Sequence, residues 1–272
     1  MIGTPVMPER WRWAGVDLDT YARMVTQTSG TDTLPPLRGS DILVPSRVGR
    51  LYGSKVHDAR RLALTLWVSD MDDTGSSVHP DARTGARANL DTLQGLFVTE
   101  KVGMLERLMP DGTTRTATAE VVTCEIGGNP VGLDGFPMVV DFSLPDPWFY
   151  GAVAPASITL NANPKAGSYD NPGTVPTHRI VFDITGPASN PRITNTTNGW
   201  YLEALVNVAA GTHLILDCWA ATAENDNLNA IGSVRHSGGA LWFRLEPGVN
   251  NLSVSGTSLG GDLTITATPP FA

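Results

Sequence analysis

The reading of the fold starts from HSGGALWFRL at positions 236–245 and its continuation EPGVNNLSVSG at 246–256. Leu241, Phe243 and Leu245 alternate with Trp242 and Arg244, so the first run reads as a strand with two unlike faces. Glu246-Pro247-Gly248 breaks it, because proline fixes its own φ and glycine turns the chain without steric cost. Leu252 and Val254 then resume the apolar face. No catalytic side chains gather in this stretch. The expectation is two strands at the closing edge of an all-β sandwich, which points to a structural or binding protein ahead of an enzyme.

Outward from this stretch, the whole second half reads as strands. They are expected at 178–185, 191–195, 200–208, 213–219, 230–233, 240–245, 250–255 and 263–267. Short strands at this spacing, with turn residues between them, describe a β-sandwich. Residues 151–176 are rich in Pro, Asn and Gly around a short strand at 157–160, and form the expected boundary. The domains are therefore set at 1–150 and 151–272.

The first half adds one helix to its strands. An early strand is expected at Gly15–Leu18. Residues 29–50 are turn-rich, and the prolines around Ile42-Leu43-Val44 exclude a central strand but permit an arm. Leu62, Leu64, Leu66 and Val68 form one face of a strand, leaving Trp67 on the other, where it needs cover from a helix or a neighbouring subunit. Ala86, Leu90, Leu93 and Phe97 recur at helical spacing, so a helix is expected from about Asp81 to Val98, with Pro80 at its start. Asp111-Gly112 turns a hairpin whose second strand is read with Val122, Cys124 and Ile126 on one face. Phe136, Met138, Val140, Phe142 and Leu144 line one face of a further strand.

Charge and motifs exclude several function classes. The net charge of -8 disfavours a nucleic-acid partner. Cys124 and Cys218 sit in apolar runs and read as buried hydrophobes rather than a disulfide framework. No leader or membrane-length apolar run is expected, so the chain reads as soluble in a cytoplasm. The histidines lack zinc spacing, and no nucleophile elbow, Walker loop or dinucleotide fingerprint is present; the expectation is no catalytic residues, no metal and no cofactor. Asp70-x-Asp72-x-Thr74-Gly75, with Asp81 beyond, matches a calcium loop only in part, because Thr and Asp stand where an acidic ligand and a bidentate Glu belong. His213 and Asp217 share a strand face and read as a polar pair. Dispersed carboxylates such as Asp141 and Glu203 are the remaining candidates for hydrolysis. Trp200, Trp219 and Trp242 all fall in the second half, where exposed aromatics could stack on sugar rings or form a protein interface. A carbohydrate-binding module is therefore the alternative function.

The order of several short motifs resembles the distal tail protein of long, non-contractile-tailed bacteriophages, especially those of actinobacterial hosts. These motifs are Leu37-Arg38-Gly39-Ser40 through Val44–Gly49, Asp58–Val68, Leu108–Gly112, Val140–Phe149, Asn190–Ile193, Val208–Gly211 and Leu245–Asn250. Together they span nearly the whole chain.

That resemblance implies a mainly β protein with a split β-barrel-like N-terminal domain bearing the helix, and a galectin-like C-terminal sandwich. It implies a homo-hexameric ring at the virion tail tip, assembled in the host cytoplasm. The tail tube protein would lie on one side and a tail-tip hub protein on the other, with fibres or receptor-binding proteins at the periphery. DNA would pass through without specific binding. Leu37, Arg38, Ile42, Leu43, Val44 and Trp67 are the ring-interface candidates. Trp200, Trp219 and Trp242 are candidates for a peripheral partner or glycan. Asp70, Asp72, Asp73 and Glu100 are the lumen candidates, since an acidic wall repels phosphate.

Overall fold

The computed structural model describes residues 9–41, 48, 53, 55–77, 79–127, 135–238 and 241–272. They are mainly β, with α1 as the single α-helix among the described residues. The chain divides into two compact units, Met1–Phe149 with Ala272, and Tyr150–Phe271.

In the first unit the elements are β1 (Arg10–Trp13), β2 (Val16–Asp17), β3 (Arg23–Ser29), β4 (Leu37–Arg38) and β5 (Val56–His57). They continue with β6 (Arg60–Ser69), α1 (Ala82–Thr99), β7 (Val102–Leu108), β8 (Thr114–Ile126) and β9 (Gly135–Leu144). Antiparallel pairing gives the order β2-β1-β7-β8-β9-β6-β3, and β4 pairs with β5 separately. The helix starts where Asp81 accepts from the Thr84 N–H, satisfying one of the orphan donors of the first turn. Its buried stripe, Ala86, Leu90, Leu93 and Phe97, follows the sequence reading. Leu90, Leu93 and Phe97 share one core with Leu62, Leu64, Leu66 and Val68 of β6 and with Met138, Val140, Phe142 and Leu144 of β9.

Three details differ from the sequence reading. The early strand expected at Gly15–Leu18 is the short β2, and a strand not expected, β1, precedes it; Gly15 belongs to the turn between them, where Ala14 and Gly15 both take positive φ, 47° and 82°, so that Trp13 pairs with Val16. This buries Trp11 and Trp13 completely enough to anchor the core. The polar strand β3 had no apolar alternation to reveal it. On β8 a bulge between Val121 and Thr123 shifts the alternation. Val121 is buried and Val122 is 43% exposed, so Val121 takes the place assigned to Val122 beside Cys124 and Ile126.

The second unit is built on two larger sheets. One runs Ala154–Thr159, Asp262–Ala267, Ile180–Thr185, His213–Asp217, Thr222–Asn225, Leu228–Asn229. The other runs Lys165–Asn171, Gly248–Ser255, Arg192–Asn195, Tyr201–Ala204, Val234–His236. Phe182, Ile184, Leu214 and Ile265 from the first join Ile193, Leu202, Leu252 and Val254 from the second in one core.

The stretch that opened the sequence reading folds differently from its expectation. Gly248–Ser255 is a strand, but it lies between two others rather than at an edge. Residues 241–245 form no strand; Trp242, Phe243 and Leu245 are all buried instead of alternating. The reason lies in the backbone partners. The Phe243 carbonyl accepts from His178 and the Arg244 carbonyl from Asn195 and Asn198, so side chains satisfy groups that a ladder would have used. Residues 231–233 likewise form a short 3-10 turn ahead of the strand Val234–His236.

Candidate assembly surfaces

In the β4–β5 pair Leu37 opposes His57 and Arg38 opposes Val56. His57 packs edge-on against Trp148 at 4.9 Å, within the first unit. Leu37 and Val56 are 58% and 53% exposed, and Arg38 faces Asp58 at 3.8 Å. Ile42, Leu43 and Val44 lie outside the described residues.

Trp67 is half-buried on the sheet face that opposes Met24 and Pro137. Gly135 makes room for it: a Cβ there would lie 2.6 Å from the indole ring. Part of its cover thus comes from a glycine on the adjacent strand, while α1 packs on the opposite, leucine-bearing face.

The acidic candidates separate into two places. Asp70, Asp72 and Asp73 share the loop after β6. The Asp72 Oδ1 accepts from the Thr74 hydroxyl at 2.6 Å, the Thr74 N–H at 2.8 Å and the Ser76 N–H at 2.9 Å. These donors, the Thr74 hydroxyl first, hold its pKa below the ordinary carboxylate value. Asp70 accepts from the Ser77 hydroxyl, and Asp73 lies 3.5 Å from Arg23. Asp81 is used as the helix cap. Among the described residues no group of three His, Cys, Asp or Glu side chains could hold a metal ion. Glu100 caps the far end of the 18-residue α1; at 1.5 Å per residue that is about 27 Å away along the helix.

The three tryptophans of the second unit have different roles. Trp242 is 7% exposed, belongs to the core and stacks on His236 at 5.8 Å, which corrects its reading as an outward residue. Trp200 is half-buried between His178 and Arg244, close against Gly238. Trp219 alone is broadly open, at 58%, with the Arg179 guanidinium 4.6 Å from its ring; the same guanidinium lies 3.9 Å from Tyr150. That Tyr150–Arg179–Trp219 stack had no signal in sequence, since its members are far apart in the chain. His213 pairs with Asp183 at 2.8 Å rather than with Asp217, which caps the Trp219 and Ala220 N–H groups. Glu203 sits in register between Arg192 and Arg235, and Asp141 accepts from Thr123.

Residues 172–268 match the family described as siphovirus-type tail component, C-terminal domain. That match lies within the second unit. Over the whole chain, the fold is similar to SPP1 Dit (gp 19.1), described as a paradigm of hub adsorption apparatus in phages infecting Gram-positive bacteria. The TM-score is 0.70 at 13% identity, covering 98% of this chain and 100% of that one. A chain of the phage p2 baseplate in its activated conformation is aligned over 96% of this chain and 98% of its own, at 8% identity and a TM-score of 0.45. No curated protein matches the chain by sequence.

Proposed function

We propose that the protein is a distal tail protein: a non-enzymatic hub at the tip of a siphophage tail. Six copies form a ring that joins the tail tube to the adsorption apparatus and continues the DNA channel. The observation that carries this reading is the whole-chain likeness to SPP1 Dit, joined to a tail-component C-terminal domain.

The first unit is the split-barrel-like ring wall, a reading supported by its seven-strand antiparallel path and by a long bulged strand that serves neighbours on both sides. The second unit is a galectin-like sandwich at the periphery, where a fibre or receptor-binding protein attaches. Its two sheets sharing one core support that reading. The tail tube protein and a tail-tip hub protein flank the ring. The proteins assemble in the host cytoplasm, and DNA passes without specific binding. Direct glycan recognition is the weaker reading, since Trp200 and Trp242 are taken up by the fold and leave Trp219 as the one broadly exposed indole of the three.

The test is electron microscopy of the purified protein and of tails that carry it. A six-fold ring with an open centre at the tail tip is expected. A compact monomer with no tail-tip density would overturn the assignment.

A further inference from the structure

The two larger sheets of the second unit turn unlike faces to solvent. Burial alternates along their strands, so Phe182, Ile184, Leu214, Leu216 and Ala223 point into the core and their neighbours point out. On the six-stranded sheet the outward residues include Asp183, Asp217, Glu224 and Asp262. Ile215 lies in register between Asp183 and Glu224. Against these four carboxylates the face carries Arg179 and His213, and His213 is already paired with Asp183. On the five-stranded sheet the outward charges balance: Arg192 and Arg235 flank Glu203, and Asp170 is the fourth. The six-stranded face is thus the acidic one.

Trp219 stands at the end of that face. It follows the buried Cys218 and is broadly exposed. Its backbone is fixed, because the Asp217 Oδ1 accepts from the Trp219 and Ala220 N–H groups at 2.9 Å each. Its ring is fixed too, since the Arg179 guanidinium lies over it at 4.6 Å and rests in turn on Tyr150 at 3.9 Å. An indole held in this way has little freedom left to lose when its open side is buried. Val153 and Ile215 are exposed as well. The strand that follows Val153 and the strand that holds Ile215 are three strand spacings apart, about 14 Å. Trp, Tyr and Arg are the residue types that carry most of the energy at protein interfaces, and here they form one stack beside further exposed apolar groups. A single sugar ring would cover the indole but not that span.

We propose that this face docks a basic protein partner, whose lysines and arginines surround an apolar recess that takes the Trp219 indole. The inference rests on the hub reading above and deepens it, by naming the surface of the second unit that holds the peripheral protein and the charge that protein carries. The indole anchors the contact, with Val153 and Ile215 extending it across the sheet. Asp183, Glu224 and Asp262 lie around the anchor, where opposite charge on the partner speeds encounter and like charge excludes the wrong one. An acidic partner, or a second copy of this chain presenting the same acidic face, is disfavoured by the same charges.

The test uses assembled tails in which a photo-reactive p-benzoylphenylalanine replaces Thr222, an exposed residue paired with Asp217, or Asn251, an exposed residue of the five-stranded sheet. Irradiation from position 222 should join the chain to one other virion protein through a peptide of net positive charge, and irradiation from position 251 should not. Trp219→Ala, and separately Asp183→Lys with Glu224→Lys, should lower the yield of that adduct at least about tenfold, and high salt should lower it in the otherwise native chain. Circular dichroism checks that the variants fold; should one fail to fold, the position of the adduct and its salt response decide alone. Tails that hold the protein at their tip but give no such adduct, or one with an acidic peptide or with equal yield from both positions, would overturn the face assignment and leave the hub reading standing. Saturable binding of maltopentaose or chitopentaose by the purified chain, lost in Trp219→Ala and with no protein adduct, would give the face to a glycan instead. Absence of the protein from tails would overturn both readings.

Discussion

The side chain of Asn250 accepts the backbone N–H of Glu246 at 2.8 Å and returns its own amide to the Glu246 carbonyl, also at 2.8 Å. The same side chain donates to Gly248 O and accepts from Asn195 Nδ2. Asn171 reaches the Glu246 carbonyl too, and all three asparagines are fully buried. Three amides thus hold the Glu246-Pro247-Gly248 turn and deliver Trp242, Phe243 and Leu245 to the core.

Asn250→Ala removes hydrogen-bond partners from four groups, the buried Asn195 amide among them, and should cost about 3 kcal/mol or more. Asn250→Asp keeps the acceptor but loses both donors and sets a charge against two carbonyls, so it should not rescue. Denaturant unfolding followed by tryptophan fluorescence measures both. A loss below about 1 kcal/mol in each variant would show that the turn holds itself.

Gly261 has φ of +74°, and a Cβ there would lie 2.0 Å from the Thr185 carbonyl oxygen. Both the backbone conformation and the space exclude a side chain. Gly261→Ala should destabilise by about 2–4 kcal/mol, whereas Gly232→Ala, whose Cβ meets nothing within 4 Å, should change little. Equal melting temperatures for the two variants would refute the steric account.

What could be read from the sequence follows how local each signal is. The helix was legible because Ala86, Leu90, Leu93 and Phe97 keep one period and Asp81 caps it within the same turn. The β9 face was legible because alternation there runs unbroken from Phe136 to Leu144. Residues 240–245 misled because strand-like alternation also arises in a segment whose backbone is held by distant asparagines and His178. Arg60 was silent for a similar reason. As a charged residue at a strand start it reads as solvated, yet it is 1% exposed and donates to the carbonyls of Gly30, Thr31 and Pro147. The surface candidates Leu37 and Arg38 were visible as an apolar-basic step between prolines.

His178 gives a pH dependence to the same turn region. Burial pushes its pKa below the ordinary histidine value, with Arg244 adding to the shift and the Phe243 carbonyl and Glu246 opposing it. The unfolded chain therefore binds the proton more readily than the folded one. The stability from neutral His178 is present above the unfolded value near 6.5 and is lost as pH falls through the lower, folded value. Melting temperatures of the full chain should drop from pH 7 to pH 5, and His178→Gln should flatten that drop. An equal slope in the variant would place the acid sensitivity elsewhere.

The lumen reading can now be tested with better-chosen charges. Asp70 accepts one hydroxyl bond and Asp73 faces Arg23, whereas Asp72 holds the loop together by accepting three hydrogen bonds, and Glu100 stands at the other end of α1. Reversing all four to lysine would confuse a broken loop with a changed channel wall. Asp70→Lys with Asp73→Lys, leaving Asp72 intact, changes the charge with less damage to the loop. If this loop faces the channel, phage carrying the pair should release DNA more slowly in low salt, because the new cations hold phosphate. The difference should shrink at high salt, where the attraction is screened to a few ångströms. Glu100→Lys made separately tests the second location. Release kinetics unchanged at both salt concentrations, in phage that assemble normally, would place the loop outside the channel, and Asp72 would then be explained by its turn alone.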